Sequence, residues 1–124
     1  MDSNDKKRLE ADPDGIHTYE YIANNIDSID DDLTWLIDNM IRVDINGQFS
    51  VSAARFLHAI DHVKHSEAID RLVDSAIDKD RERAYIGYLL PDLWGADYAD
   101  RAESLSASDR SFRRIYKRLH PTGM

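Results

Sequence analysis

Apolar residues recur at helical spacing from residue 16 to residue 119 of this 124-residue chain. Spacings of three and four residues place side chains on one face of a helix, so each such run predicts a helix. Seven stripes follow one another with short polar breaks, and they begin at Tyr19, Leu33, Ala53, Ile69, Ile86, Tyr98 and Phe112. The third stripe runs from Ala53 to Ile60, and Pro91 ends the fifth because proline interrupts helical hydrogen bonding. The pattern predicts an all-α protein of about six to seven short antiparallel helices.

The first part of the chain, residues 1–15, carries no apolar stripe. Residues 1–15 are polar and end in Asp12-Pro13-Asp14-Gly15, in which proline fixes φ and glycine permits positive φ, as in a turn. We predict a polar and mostly frayed N-terminal arm over residues 1–15 and a single all-α domain over residues 16–124. The length and the 42% hydrophobic content suffice for one modest core.

One segment has two interpretations. Asn46-Gly47 lies between alternating apolar residues, which is also a signal for a β-hairpin. An isolated hairpin is only marginally stable, so we favour a loop between two helices over residues 43–49.

Two short patterns repeat within the chain. The motif Asp-x-Asp/Asn-Gly-x-x-Ser/Thr occurs at residues 12–18 and again at 44–50, each time before a predicted helix. Asp80-Arg81, followed by Ile86 and Leu90, matches Asp109-Arg110, followed by Ile115 and Leu119. Polar residues before the apolar stripes are predicted N-caps; they are Thr18, Asp30, Ser50, Ser66, Asp80 and Ser108.

The stretch from Asp44 to Leu105 resembles HEAT-like helical repeats. The residues that carry the likeness are Ala68-Ile69-x-x-Leu72-Val73, Asp78-Lys79-Asp80-Arg81-x-Arg83-Ala84 and Leu89-Leu90. The resemblance implies a curved stack of antiparallel helix pairs in which one face is free to bind a protein. We therefore expect HEAT-like pairs or an irregular helical bundle.

Charge is distributed unevenly along the chain. Its 24 acids and 16 bases give a net charge of −8, with an excess of acids in residues 1–32 and of bases in residues 106–124. A net negative charge opposes binding to nucleic acid or to an anionic membrane. The sequence has no cysteine and no apolar run that could span a bilayer. These features predict a cytoplasmic protein without membrane or direct nucleic-acid contacts.

The acids suggest a surface for a basic partner. It would be centred on Asp27 and the triplet 30–32 and would steer a basic protein into contact; the triplet could instead stabilise a helix N-terminus. The predicted partner-binding residues are Asp27, Asp30, Asp31, Asp32, Asp38, Asp70, Asp74 and Trp94. Trp94 is a candidate interface anchor, although its apolar neighbour Leu93 favours partial burial between helices. The basic face of the last helix, residues 110–118, could bind phosphate, but we favour pairing with acids of the same domain.

Three imidazoles raise a metal hypothesis. His58, His62 and His65 are spaced to share the side of a helix opposite its apolar stripe, as in helical zinc sites. The alternative is an exposed polar face, which we favour, since no His-Glu-x-x-His pattern is present.

No motif for a nucleophile, a phosphate loop or a dinucleotide is present. We therefore predict a non-enzymatic binding protein with no catalytic residues, cofactor or metal, as a monomer or small homo-oligomer. Its size and acidity are typical of immunity proteins that neutralise basic, nuclease-like bacterial toxins. The alternatives are a phage-type anti-defence inhibitor that mimics nucleic acid, and a metal-binding helical protein that uses the His58, His62 and His65 face.

Overall fold

Eight α-helices make up the part of the chain that the computed structural model describes, residues 1–121. They are α1 Ser3–Glu10, α2 Ile16–Asn24, α3 Leu33–Val43, α4 Gln48–Asp61, α5 Ser66–Lys79, α6 Leu89–Trp94, α7 Ala102–Ser108 and α8 Arg110–Leu119. Short 3-10 helices lie at Ile26–Ser28, Asp30–Asp32, Ile86–Tyr88 and Tyr98–Arg101. The predicted all-α fold is confirmed, with slightly more helices than predicted. Residues 1–121 contain no strand, so the hairpin alternative is wrong and a loop joins α3 to α4.

The predicted frayed arm is wrong, because residues 3–10 form helix α1. The carboxylate of Asp2 accepts the backbone N–H of Asp5 at 2.8 Å and caps the helix. Leu9 is fully buried, and the Asn39 side chain of α3 donates to its carbonyl at 2.8 Å. One apolar residue does not form a stripe, which is why the periodicity missed this helix.

The core lies around the packed pair α4 and α5, with α2, α3, α6 and α8 against them. Its largest fully buried side chains are Leu9, Ile22, Ile29, Leu36, Ile37, Met40, Leu57, Leu72, Ile77, Ile86, Leu89 and Phe112. All except Leu9 and Ile29 belong to the predicted stripes. Among residues 1–121, no helix is long and apolar enough to cross a membrane.

The repeated motif forms the same turn twice. In the first copy, buried Asp12 accepts the backbone N–H groups of Gly15 at 3.0 Å and Thr18 at 2.8 Å. In the second, buried Asp44 accepts those of Gly47 at 3.2 Å and Ser50 at 3.0 Å. The motif therefore encodes a turn whose buried aspartate binds the first turn of the helix that follows.

Glycine is required in both copies of this turn. Gly15 and Gly47 have φ of 105° and 89°, values that side-chain-bearing residues rarely adopt. A Cβ on Gly47 would also lie 3.1 Å from the carbonyl oxygen of Ala76 on α5. The turn thus brings the start of α4 into close contact with the end of α5.

Several predicted N-caps are displaced from their expected positions. Thr18 and Ser50 lie inside the first turns of α2 and α4, and Ser108 is the last residue of α7. The carboxylate of Asp109 caps α8 instead, accepting the N–H of Phe112 at 3.0 Å. For Thr18 and Ser50, the correct signal is the aspartate that begins each copy of the motif, six residues earlier.

Candidate functional site

The eight predicted partner-binding residues fall into two separate groups. The first group comprises the aspartates at 27, 30, 31, 32 and 38, which lie on the α2–α3 connection and on α3. The second comprises Asp70 and Asp74 on α5 and Trp94 at the end of α6, around the start of α8. The structure therefore does not unite all eight in one surface.

Residues 26–32, the acidic turn, present carboxylates on an anchored backbone. Ile29 is buried in the core and holds the turn in place, while Asp27 and Asp31 are exposed. Asp30 pairs with Lys64 at 3.0 Å, and Asp32 lies 3.3 Å from the amino group of Met1. Within residues 1–121, Asp27 and Asp31 form no ion pair, so they carry the turn's free negative charge.

The other member of this group is committed to a contact within the fold. Asp38 of α3 pairs with Arg71 of α5 at 2.5 Å, which joins the two helices. Its charge is largely compensated, and such an exposed pair contributes at most about 1 kcal/mol to stability. Asp38 is therefore a weaker candidate for partner binding than Asp27 or Asp31.

An exposed apolar pair lies beside the acidic turn. Ile60 in the last turn of α4 is 51% exposed, and Val63 just beyond it is 75% exposed. Lys64 follows Val63 directly and forms the ion pair with Asp30, which brings this end of α4 to the acidic turn. Together, Asp27, Asp30, Asp31, Ile60 and Val63 form what we call the docking face.

The docking face contains residues that the sequence pattern did not identify. Ile60 was assigned to the apolar stripe of α4, and its exposure contradicts that assignment. Val63 follows the end of α4 and belongs to no stripe. Residues 59–64 are all exposed, so the last turn of α4 lies outside the core, which apolar periodicity alone does not indicate.

Two of the three residues in the second group, Asp74 and Trp94, are engaged in hydrogen bonds within the fold. Asp74 accepts from Arg114 of α8 at 2.8 Å, and Trp94 donates its indole N–H to Asp109 at 2.8 Å. The Trp94 ring is half-buried and packs edge-on against Phe112 with centroids 5.4 Å apart. Burial raises the pKa of Asp70, and the neighbouring carboxylates of Asp74 and Asp109 raise it further. Asp74 and Trp94 therefore stabilise the packing of α5, α6 and α8, whereas the ionised form of Asp70 is unfavourable there.

The three histidines do not converge on one point. His58 and His62 stack with ring centroids 4.8 Å apart, and burial, followed by the charge of His62, lowers the pKa of His58. His65 is only 3% exposed; it lies beyond α4 and lines a cavity of about 150 Å³ between α3 and α5. Residues 1–121 hold no cluster of three potential metal ligands. The predicted shared face is therefore wrong for His65.

The comparisons with known proteins give no further assignment. No protein-family model, curated protein or solved structure matches this chain. The HEAT-like resemblance stays a prediction, and function is argued from the surfaces themselves.

Proposed function

We propose that this chain is a non-enzymatic inhibitor that binds a basic protein through the docking face. The observation that carries the proposal is the pair of exposed apolar side chains, Ile60 and Val63, beside the acidic turn. Protein interfaces commonly have an apolar centre that excludes water and a charged rim that steers the partner. Asp27 and Asp31 supply the charge. Burial of the apolar pair against a partner would stabilise the complex.

The partner class follows from charge complementarity. A protein that holds nucleic-acid phosphates does so with lysine and arginine side chains, which the carboxylates of the docking face would pair with. Occupying those cations would exclude the nucleic acid from the partner's surface. We therefore propose a nuclease-like bacterial toxin as the partner and an immunity protein as the role of this chain.

The test is affinity capture with matched variants. Tagged wild-type chain is incubated with lysate of its source cells at low and high salt, and bound proteins are identified by mass spectrometry. The expected result is one basic protein that is lost as salt increases. D27N/D31N should weaken its binding about fivefold through slower association, and Val63→Ser should weaken binding through faster dissociation.

The control is D100N/E103Q, which removes two exposed carboxylates elsewhere and should leave capture unchanged. Co-expression with the captured protein then tests inhibition: the wild-type chain should restore growth that the partner arrests, and V63S should restore it less. An acidic partner, or equal losses with D100N/E103Q and D27N/D31N, would contradict the proposal.

A further inference from the structure

A groove lined by cations lies between the end of α5, the turn that follows it and α8. It is open to solvent and has a volume of about 380 Å³. Its lining residues are Ile77, Arg83, Arg114, Lys117, Arg118 and Pro121. Four of these six are basic and none is acidic, although the chain as a whole carries a charge of −8.

The turn that supplies Arg83 is held in place by one buried carboxylate. Asp80 is 1% exposed and accepts the backbone N–H groups of Ala84 at 2.9 Å and of Tyr85 and Ile86 at 2.8 Å. Within this turn Arg83 has a φ of 57°, in the left-handed region where non-glycine residues are uncommon. The carboxylate thus holds the turn in a conformation that glycine usually adopts. In this chain Arg83 occupies that position, at the groove.

The cations of the groove differ in how far they are neutralised. Arg114 pairs with Asp74 at 2.8 Å and Asp78 at 3.2 Å, so it chiefly joins α8 to α5. Arg118 makes a long contact of 3.5 Å with the carbonyl of Asp80. Neither Arg83 nor Lys117 pairs with a carboxylate of residues 1–121. Their charges are therefore available to a ligand.

We propose that this groove binds an acidic peptide segment of a second protein, one that combines carboxylates with an apolar side chain. Arg83, Lys117 and Arg118 would pair with the carboxylates, and exposed Pro121 would contact the apolar side chain. The site is independent of the docking face, because the two lie towards opposite ends of α5. That helix has 14 residues and a length of about 21 Å.

The lining favours a peptide over a nucleic acid or a free phosphate. Lysine and arginine side chains pair with phosphates as well as with carboxylates, so the cations alone do not choose between these ligands. The chain's overall negative charge repels a long polyanion. An exposed proline among separate positive charges suits an amphipathic acidic peptide.

The experiment uses fluorescence anisotropy with the full-length chain and a short fluorescein-labelled peptide that alternates aspartate and leucine. The wild-type chain should bind it saturably, and added salt should weaken binding. K117E should weaken binding about fivefold or more, because it reverses one exposed charge in the groove. R83G should also weaken binding while leaving the fold intact, since glycine accepts the positive φ.

The matched control is R110E, which makes the same charge reversal on α8 at an exposed position outside the groove. It should change peptide affinity by less than about twofold. An equal loss with R110E and K117E would show attraction by overall charge and overturn the proposal. Tighter binding of a single-stranded oligonucleotide of equal charge would also overturn it, in favour of nucleic acid.

Discussion

At the scale of single residues, two carboxylates of this protein have opposite environments. Burial would raise the pKa of Asp12, but hydrogen bonds from Thr18, Gly15 and Asp14 outweigh it and lower the pKa. Burial likewise raises the pKa of Asp70, where other carboxylates add to the effect. The ionised form is thus favoured by the fold at Asp12 and opposed by it at Asp70.

Replacing Asp12 tests the first of these environments. The Asp12 carboxylate accepts four hydrogen bonds. Asp12→Asn replaces one acceptor oxygen by an NH₂ donor, so we expect a loss of about 1–3 kcal/mol in unfolding free energy at neutral pH. Because the folded-state pKa is lowered, the stabilisation is present above the unfolded value and is lost as pH falls through the folded pKa. Urea denaturation at several pH values measures this, with Asp14→Asn as the nearly neutral control.

Replacing Asp70 should have the opposite effect. Because the folded-state pKa of this carboxyl is raised, stability falls as pH rises from the ordinary aspartate pKa of 3.8 through the folded-state pKa. Asp70→Asn should therefore raise Tm at neutral pH, and the gain should vanish in acid. Thermal unfolding at both pH extremes checks this; a lower Tm at neutral pH would contradict it. Glu67→Gln, in the first turn of the same helix, is the control and should not raise Tm.

The sequence predicted these residue-scale features only in part. The repeat indicates the turns at Asp12 and Asp44, yet capping rules point to Thr18 and Ser50 as the caps. A hydrogen bond from a side chain to a backbone N–H six residues further along depends on the three-dimensional course of the turn. Local capping rules do not include such a bond. The exposure of Val63 likewise depends on where α4 ends relative to α5.

At the scale of elements, the ends of helices are joined to other helices by side chains. Lys79, the last residue of α5, donates to the backbone carbonyls of Ile41 and, at 2.6 Å, Asp44 at the end of α3. Burial lowers the pKa of Lys79. A cation at a helix C-terminus is favourable, because the final carbonyls lack N–H partners.

Removing this cation should loosen the contact between α3 and α5. Lys79→Met keeps most of the aliphatic length but leaves the carbonyls of Ile41 and Asp44 without their donor. We expect a loss of about 1–2 kcal/mol in unfolding free energy, measured by urea denaturation. The control is Lys7→Met on α1, where the lysine is exposed and the expected change lies within about 0.5 kcal/mol. Equal effects of the two variants would contradict the role of Lys79.

The elements themselves were largely predictable, because apolar periodicity reports which residues a helix buries. Helix α1 was missed because it buries one apolar residue, and hydrogen bonds to α3 compensate for its small apolar contact. The packing partners of the helices were harder to predict, since an apolar stripe does not specify which helix it faces. This is why the sequence does not separate Asp70 and Asp74, which lie near α8, from the aspartates of the acidic turn.

At the scale of the whole molecule, the ion pairs join segments that are far apart in sequence. Asp30 and Lys64 are 34 residues apart, and Asp74 and Arg114 are 40 apart. During synthesis, therefore, the acid-rich first part leaves the ribosome well before the cations that neutralise it. Mutual repulsion should keep that nascent segment open. Arg114 of α8 follows its partner Asp74 by 40 residues, so this ion pair between α5 and α8 can form only after both helices have left the ribosome.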